Sequence, residues 1–63
     1  MCESHAYLVE GTDEKLIMED VVNIKVEGST VTLTNIIGEE KTLDAEVESI
    51  SFLDHRILLR SIS

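Results

Sequence analysis

Cys2 is the only thiol in the chain, and it stands directly behind Met1 and three residues ahead of His5 in "MCESHAY". A chain end frays unless something ties it down, and an exposed thiol oxidises readily, so a lone cysteine here is a poor structural choice. It suits a metal ligand better. Cysteine is small enough for an initiator methionine to be removed, which would leave one residue with both a thiolate and a free α-amine. Those two atoms close a five-membered chelate ring on one ion. The backbone amide nitrogen of Glu3 can join the sulfur in a six-membered ring if the metal displaces its proton. Nitrogen and sulfur donors in one plane favour square-planar ions, Ni(II) or Cu(II).

One chain supplies too few such donors to fill a square-planar shell. In a two-fold dimer the same patch meets its copy, so two Cys2 residues near the axis would offer two sulfurs and two nitrogens to one ion, and the site would exist only in the dimer. Ala6 and Leu8, the apolar positions flanking the terminus, are the first candidates for that interface. A histidine as third residue makes a terminal copper and nickel chelate, but His5 is fifth, or fourth after processing, so its spacing misses that motif. On residue types alone Cys2 also reads as a small, buried apolar side chain, and His5 as a satisfied strand histidine. His55 reads as a solvated turn residue, Met18 as core filler and "GEEK" as a charged loop end.

Catalysis is not expected. A nucleophilic cysteine needs a base held by a rigid scaffold and donors for a developing oxyanion, whereas Cys2 and His5 sit on a terminus. Their odd separation sends them to opposite faces of a strand. No glycine-rich phosphate loop occurs, and the carboxylates lie in surface-like runs such as "TDEK" and "GEEK".

The elements that must position the terminus are strands. Apolar residues recur with period two, which places alternate side chains on opposite faces. Val22, Ile24 and Val26 alternate with Asn23, Lys25 and Glu27, and Val31 and Leu33 alternate with Thr30, Thr32 and Thr34. Gly28-Ser29 between the two runs reads as a hairpin turn. Further turn signals fall at Gly11-Thr12-Asp13, Gly38-Glu39 and Asp54-His55, and a turn at Glu19-Asp20 is expected to end a short strand in "DEKLIMEDVV". In "AEVESISFL" the apolar parity shifts between Val47 and Ile50, the signature of a bulge. Turn signals at intervals of about ten residues predict an all-β chain, a small antiparallel barrel or sandwich of about six to seven short strands, forming a single domain over residues 1–63.

The chain has 63 residues, near the size at which a monomer is marginal. With one cysteine it has no internal disulfide, so a metal, a second subunit or close packing must supply stability, and a homodimer is the commonest solution. The single thiol and the lack of a signal-like start point to a reduced cytoplasm. No run approaches the roughly 20 apolar residues that cross a bilayer. Thirteen Asp and Glu against five Lys and Arg give a net charge of −8, which repels anionic membranes and phosphate backbones.

"MCESHAYL", "IMEDV", "NIIGEEKTLDAEV" and "ISFLDHRILL" together resemble the CooT family of small nickel-binding proteins, over essentially the whole chain. The resemblance implies a small β protein that forms a homodimer and binds Ni(II) through the cysteine after the initiator methionine, here Cys2, in some members as an accessory to carbon monoxide dehydrogenase maturation. It therefore implies a nickel carrier or metallochaperone whose partners are its own copy and a nickel enzyme or that enzyme's maturation machinery. His5 is not part of the family pattern. The alternative is a small-barrel RNA-binding or protein-interaction module without metal. Against RNA stand the negative charge and an aromatic inventory of one Tyr, one Phe and no Trp, because RNA-binding barrels combine basic grooves with stacking platforms. Tyr7 and Phe52 are instead expected in a core or an interface.

Overall fold

A computed structural model describes residues 4–62 as five strands: β1 Ser4–Glu10, β2 Asp13–Glu27, β3 Thr30–Asn35, β4 Glu40–Ser51 and β5 Arg56–Ser61. They close into one barrel in sequence order. Four neighbouring pairs are antiparallel, and the ring is completed by a parallel pairing of β1 with β5, His5 to Val9 alongside Arg56 to Arg60. The all-β expectation holds, as does the barrel. The strand count is five, and the closing seam is parallel.

The count differs because β2 runs through the expected turn at Glu19-Asp20. Asp20 has a φ of 55°, in the left-handed region, which Asp visits more readily than most residues because its short side chain bonds locally. That conformation serves a turn or a bulge equally well. Here it belongs to a bulged corner: β2 gains extra residues against β1 between Met18 and Val21, and again against β3 between Val21 and Asn23. Bulges bend a strand and raise its twist, so one strand of 15 residues pairs with β1 along its first part and with β3 along its second. β4 does the same between β3 and β5. Its bulge falls at Glu48, between Val47 opposite Leu59 and Ser49 opposite Leu58, where the parity shift placed it.

The turns follow their residue chemistry. Gly11 and Gly28 open two-residue hairpins at φ 62° and 59°, values that cost glycine no steric strain. The β4–β5 loop spans residues 52–55, where the Asp54 N–H donates to Ser51 Oγ at 3.2 Å and His55 takes a φ of 56°.

Ala6, Val21, Val31, Leu33, Ala45, Ile57 and Leu59 form one buried cluster inside the barrel, with Leu8, Ile17, Met18, Ile24, Leu43 and Val47 packed against it. Val31 and Leu33 are fully buried while Thr30, Thr32 and Thr34 lie at intermediate depth, as the period-two pattern requires. Two small residues, Ala6 and Ala45, are buried in the same cluster as Leu33 and Leu59, small side chains alternating with large ones to fill a narrow ring. Ala6 is fully buried and does not offer itself to a second copy, while Leu8 is partly buried against the core. Met18 fills space beside the core as expected.

Candidate functional site

The candidate site is the start of β1, and three contacts fix it. Ser4 pairs with Val21 at the bulged corner of β2. The His5 N–H donates to the His55 carbonyl at 2.9 Å, the first rung of the parallel seam. The His5 imidazole then accepts a hydrogen bond at Nδ1 from the Asp20 N–H, at 3.3 Å. In the bulge that N–H has no place in the sheet ladder, and a free backbone donor is costly. One ring nitrogen of His5 is thereby engaged by β2, as in a satisfied strand histidine. Cys2 and Glu3 lie outside the described residues.

Beside this start runs an apolar groove of about 440 Å³, with Ser4, Val22, Ile50, Phe52, His55 and Ile57 among its walls. No Asp, Glu, Lys or Arg lines it, an unusual patch on a chain of net charge −8. Val22 is half exposed, and Phe52 and its neighbour Leu53 are 83% and 90% exposed. Exposed apolar area of this concentration marks an interaction surface more often than chance. Phe52 is therefore outside the core, which leaves the interface half of its expectation. Tyr7 lies at intermediate depth with the Arg56 guanidinium 4.8 Å from its ring centroid, and Arg56 also forms an ion pair with Glu14. Together these two contacts brace the outside of the β1–β5 seam with a modest energy, since exposed pairs contribute about 0–1 kcal/mol each.

His55 lines the groove as well as ending the β4–β5 loop, which a reading as a solvated turn residue did not include. The groove itself escaped sequence reasoning. Its signals were Val22 following directly on Val21 and "SFL" running into a turn, both of which leave an apolar side chain pointing away from the core. Among the described residues no three His, Cys, Asp or Glu side chains gather closely enough to hold a metal ion. No described helix is long and apolar enough to cross a membrane.

Comparison with known proteins agrees with this architecture. A family model described as CO dehydrogenase accessory protein CooT matches residues 1–60. A crystal structure described provisionally as CooT from Carboxydothermus hydrogenoformans superposes with a TM-score of 0.91 at 34% identity, covering 98% of this chain and 100% of that one. No curated protein matches significantly.

Proposed function

Because this chain belongs to the CooT family of CO dehydrogenase accessory proteins, we propose that it is a Ni(II) carrier that holds the ion through Cys2 at the interface of a homodimer. The observation that carries the reading is the place of the lone thiol. Cys2 is two peptide units from Ser4, a reach of at most about 7 Å between α-carbons, and Ser4 is anchored on the rim of the uncharged apolar groove. In this reading the thiolate, the α-amine and the Glu3 amide nitrogen are the donors to the ion. A labile cargo needs such a site, open at the chain end and completed by a second copy, rather than a closed cage. Accessory service to CO dehydrogenase follows from the family; delivery of nickel to it belongs to this proposal.

Titration of the processed protein with Ni(II) tests the reading. Thiolate-to-nickel charge-transfer bands are expected to appear and to saturate at about one ion per two chains. A featureless titration would overturn it. The same chemistry fixes the sign of the pH dependence. Thiol and amine must both lose their protons to bind, from reference values of about 8.5 and 8. Affinity should therefore fall steadily as the pH drops from about 8 to 6, and an affinity indifferent to pH over that window would point to carboxylate or histidine ligands instead.

The charge map supports one face for that dimer. Two chains of net charge −8 repel each other, least so where no carboxylate lines the surface, and that is the groove beside Ser4. Phe52 makes little contact with its own chain, so Phe52→Glu should leave thermal unfolding of the monomer nearly unchanged. It should raise the dimer dissociation constant by about 30-fold or more, the effect of losing a central aromatic anchor. Nickel affinity should fall with it although no ligand has changed, because coupled equilibria are reciprocal. Sedimentation at low micromolar concentration reads the first effect and titration the second. A fully dimeric Phe52→Glu protein would place the interface elsewhere.

A further inference from the structure

A second groove, of about 490 Å³, opens between the corner of β2 and the β3–β4 loop, with Glu19, Asp20, Ile36, Ile37, Glu39 and Glu40 among its walls. Its chemistry is the opposite of the first. Four carboxylates face one ammonium, that of Lys41, whose Nζ already donates to the Ile17 carbonyl at 3.3 Å. Ile36 and Ile37 are 54% and 75% exposed at the loop.

The loop that presents them is built with care. The Asn35 side chain accepts from the Ile37 N–H at 3.2 Å and from the Glu39 N–H at 2.9 Å, and its amide donates to Glu39 Oε1 at 2.9 Å. The Gly38 N–H closes the turn onto the Asn35 carbonyl at 3.0 Å, with Gly38 at φ 90°. The Ile36 N–H donates to the Asp20 carbonyl at 2.9 Å, which ties the loop to the bulge. Turns ordinarily carry small polar residues. This one satisfies its backbone through Asn35 and spends its two remaining positions on isoleucines held in solvent, an arrangement that lowers the ordering cost of binding.

We propose that this groove docks a basic segment of a partner protein, one in which Lys or Arg side chains flank an apolar anchor: the anchor packs on Ile36 and Ile37 while the cations meet the Glu19, Asp20, Glu39 and Glu40 rim. Charge complementarity selects this occupant. A second copy of the chain would set four carboxylates against four, and anionic membranes and nucleic acids are repelled by the same rim. The groove is independent of the nickel reading, since none of its walls is a proposed ligand.

The test uses the full chain in its Cys2→Ser form, so that loss of nickel binding cannot influence the outcome, and a fluorescent short peptide of alternating Lys and Leu as probe. The peptide is expected to bind, and more weakly as salt rises. Ile37→Ser, and separately the Glu39→Gln, Glu40→Gln pair, should each weaken it by about tenfold. Removing two charges away from the groove, by Glu10→Gln and Glu46→Gln, should leave affinity within about twofold. A Lys-Ser peptide that binds as tightly as the Lys-Leu one would reduce the effect to bulk charge and overturn the proposal. So would a remote pair as damaging as the groove pair, or an Ile37→Ser chain that binds like its parent.

Discussion

Nickel titration of the Cys2→Ser variant is expected to give no thiolate-to-nickel absorption and an affinity lowered by more than about a hundredfold. The magnitude follows from what lesser changes do. Removing a group that merely orients a ligand costs metal sites about 10–100-fold, and here the sulfur itself is removed. Serine keeps the α-amine and the size of the side chain, but its hydroxyl does not ionise near neutrality, and a neutral oxygen is a poor donor for a square-planar ion. His5→Ala is the natural control. His5 caps the Asp20 N–H rather than standing in the proposed donor set, and Asp20 is exposed, so water takes over the freed donor: the loss should cost stability by no more than the net worth of one hydrogen bond, about 0.5–1.5 kcal/mol, and leave the absorption bands in place. Should nickel affinity survive Cys2→Ser and be lost in His5→Ala, the ligand would be the imidazole and the present assignment wrong.

That control exists because the structure shows a contact of His5 that the sequence left hidden, and the reason it was hidden is general. Contacts between neighbours in the chain are legible in a sequence. The Gly28-Ser29 hairpin shows itself as a glycine between two alternating runs, and the Glu48 bulge as a slip of parity between Val47 and Ile50. Contacts between distant residues are not. The bond from Asp20 to His5 joins residues 15 apart, and the parallel seam of β1 with β5 joins the two ends of the chain. Neither leaves a local trace. Asp20 illustrates the ambiguity best: a left-handed Asp means a turn if the chain reverses there and a bulge if the strand bends but stays paired, and only the pairing of Val21 with both Ser4 and Asn35 decides between them. Ala6 stood among the interface candidates for the same reason, because nothing in "SHAYLVE" states which side of the strand faces the barrel axis.

The seam also determines the second large effect, expected for Leu59→Ala. Leu59 is fully buried and stands on β5 opposite Leu8 of β1 and Val47 of β4, so its side chain is part of what joins the first strand to the last. Truncating a buried leucine costs about 2–5 kcal/mol, transfer and cavity together, against a total stability of about 5–15 kcal/mol for ordinary domains and less for one this small. The melting temperature should fall by about 8–40 °C, at about 4–8 °C per kcal/mol for a domain of this size. Nickel then separates the fold from the site. A ligand that binds only the folded protein adds RT ln(1 + [L]/Kd), roughly 2.7 kcal/mol at a hundredfold excess over Kd. Thermal scans with and without nickel should therefore show a rise in the parent, a rise in Leu59→Ala that recovers part of the loss, and none in Cys2→Ser. The increment in Leu59→Ala should be the smaller of the two, because a loosened seam holds Ser4 less firmly beside the groove and Kd increases. An equal increment in both would mean that the terminal site binds nickel without help from the barrel, and the start of β1 would then be a tether for Cys2 rather than its support.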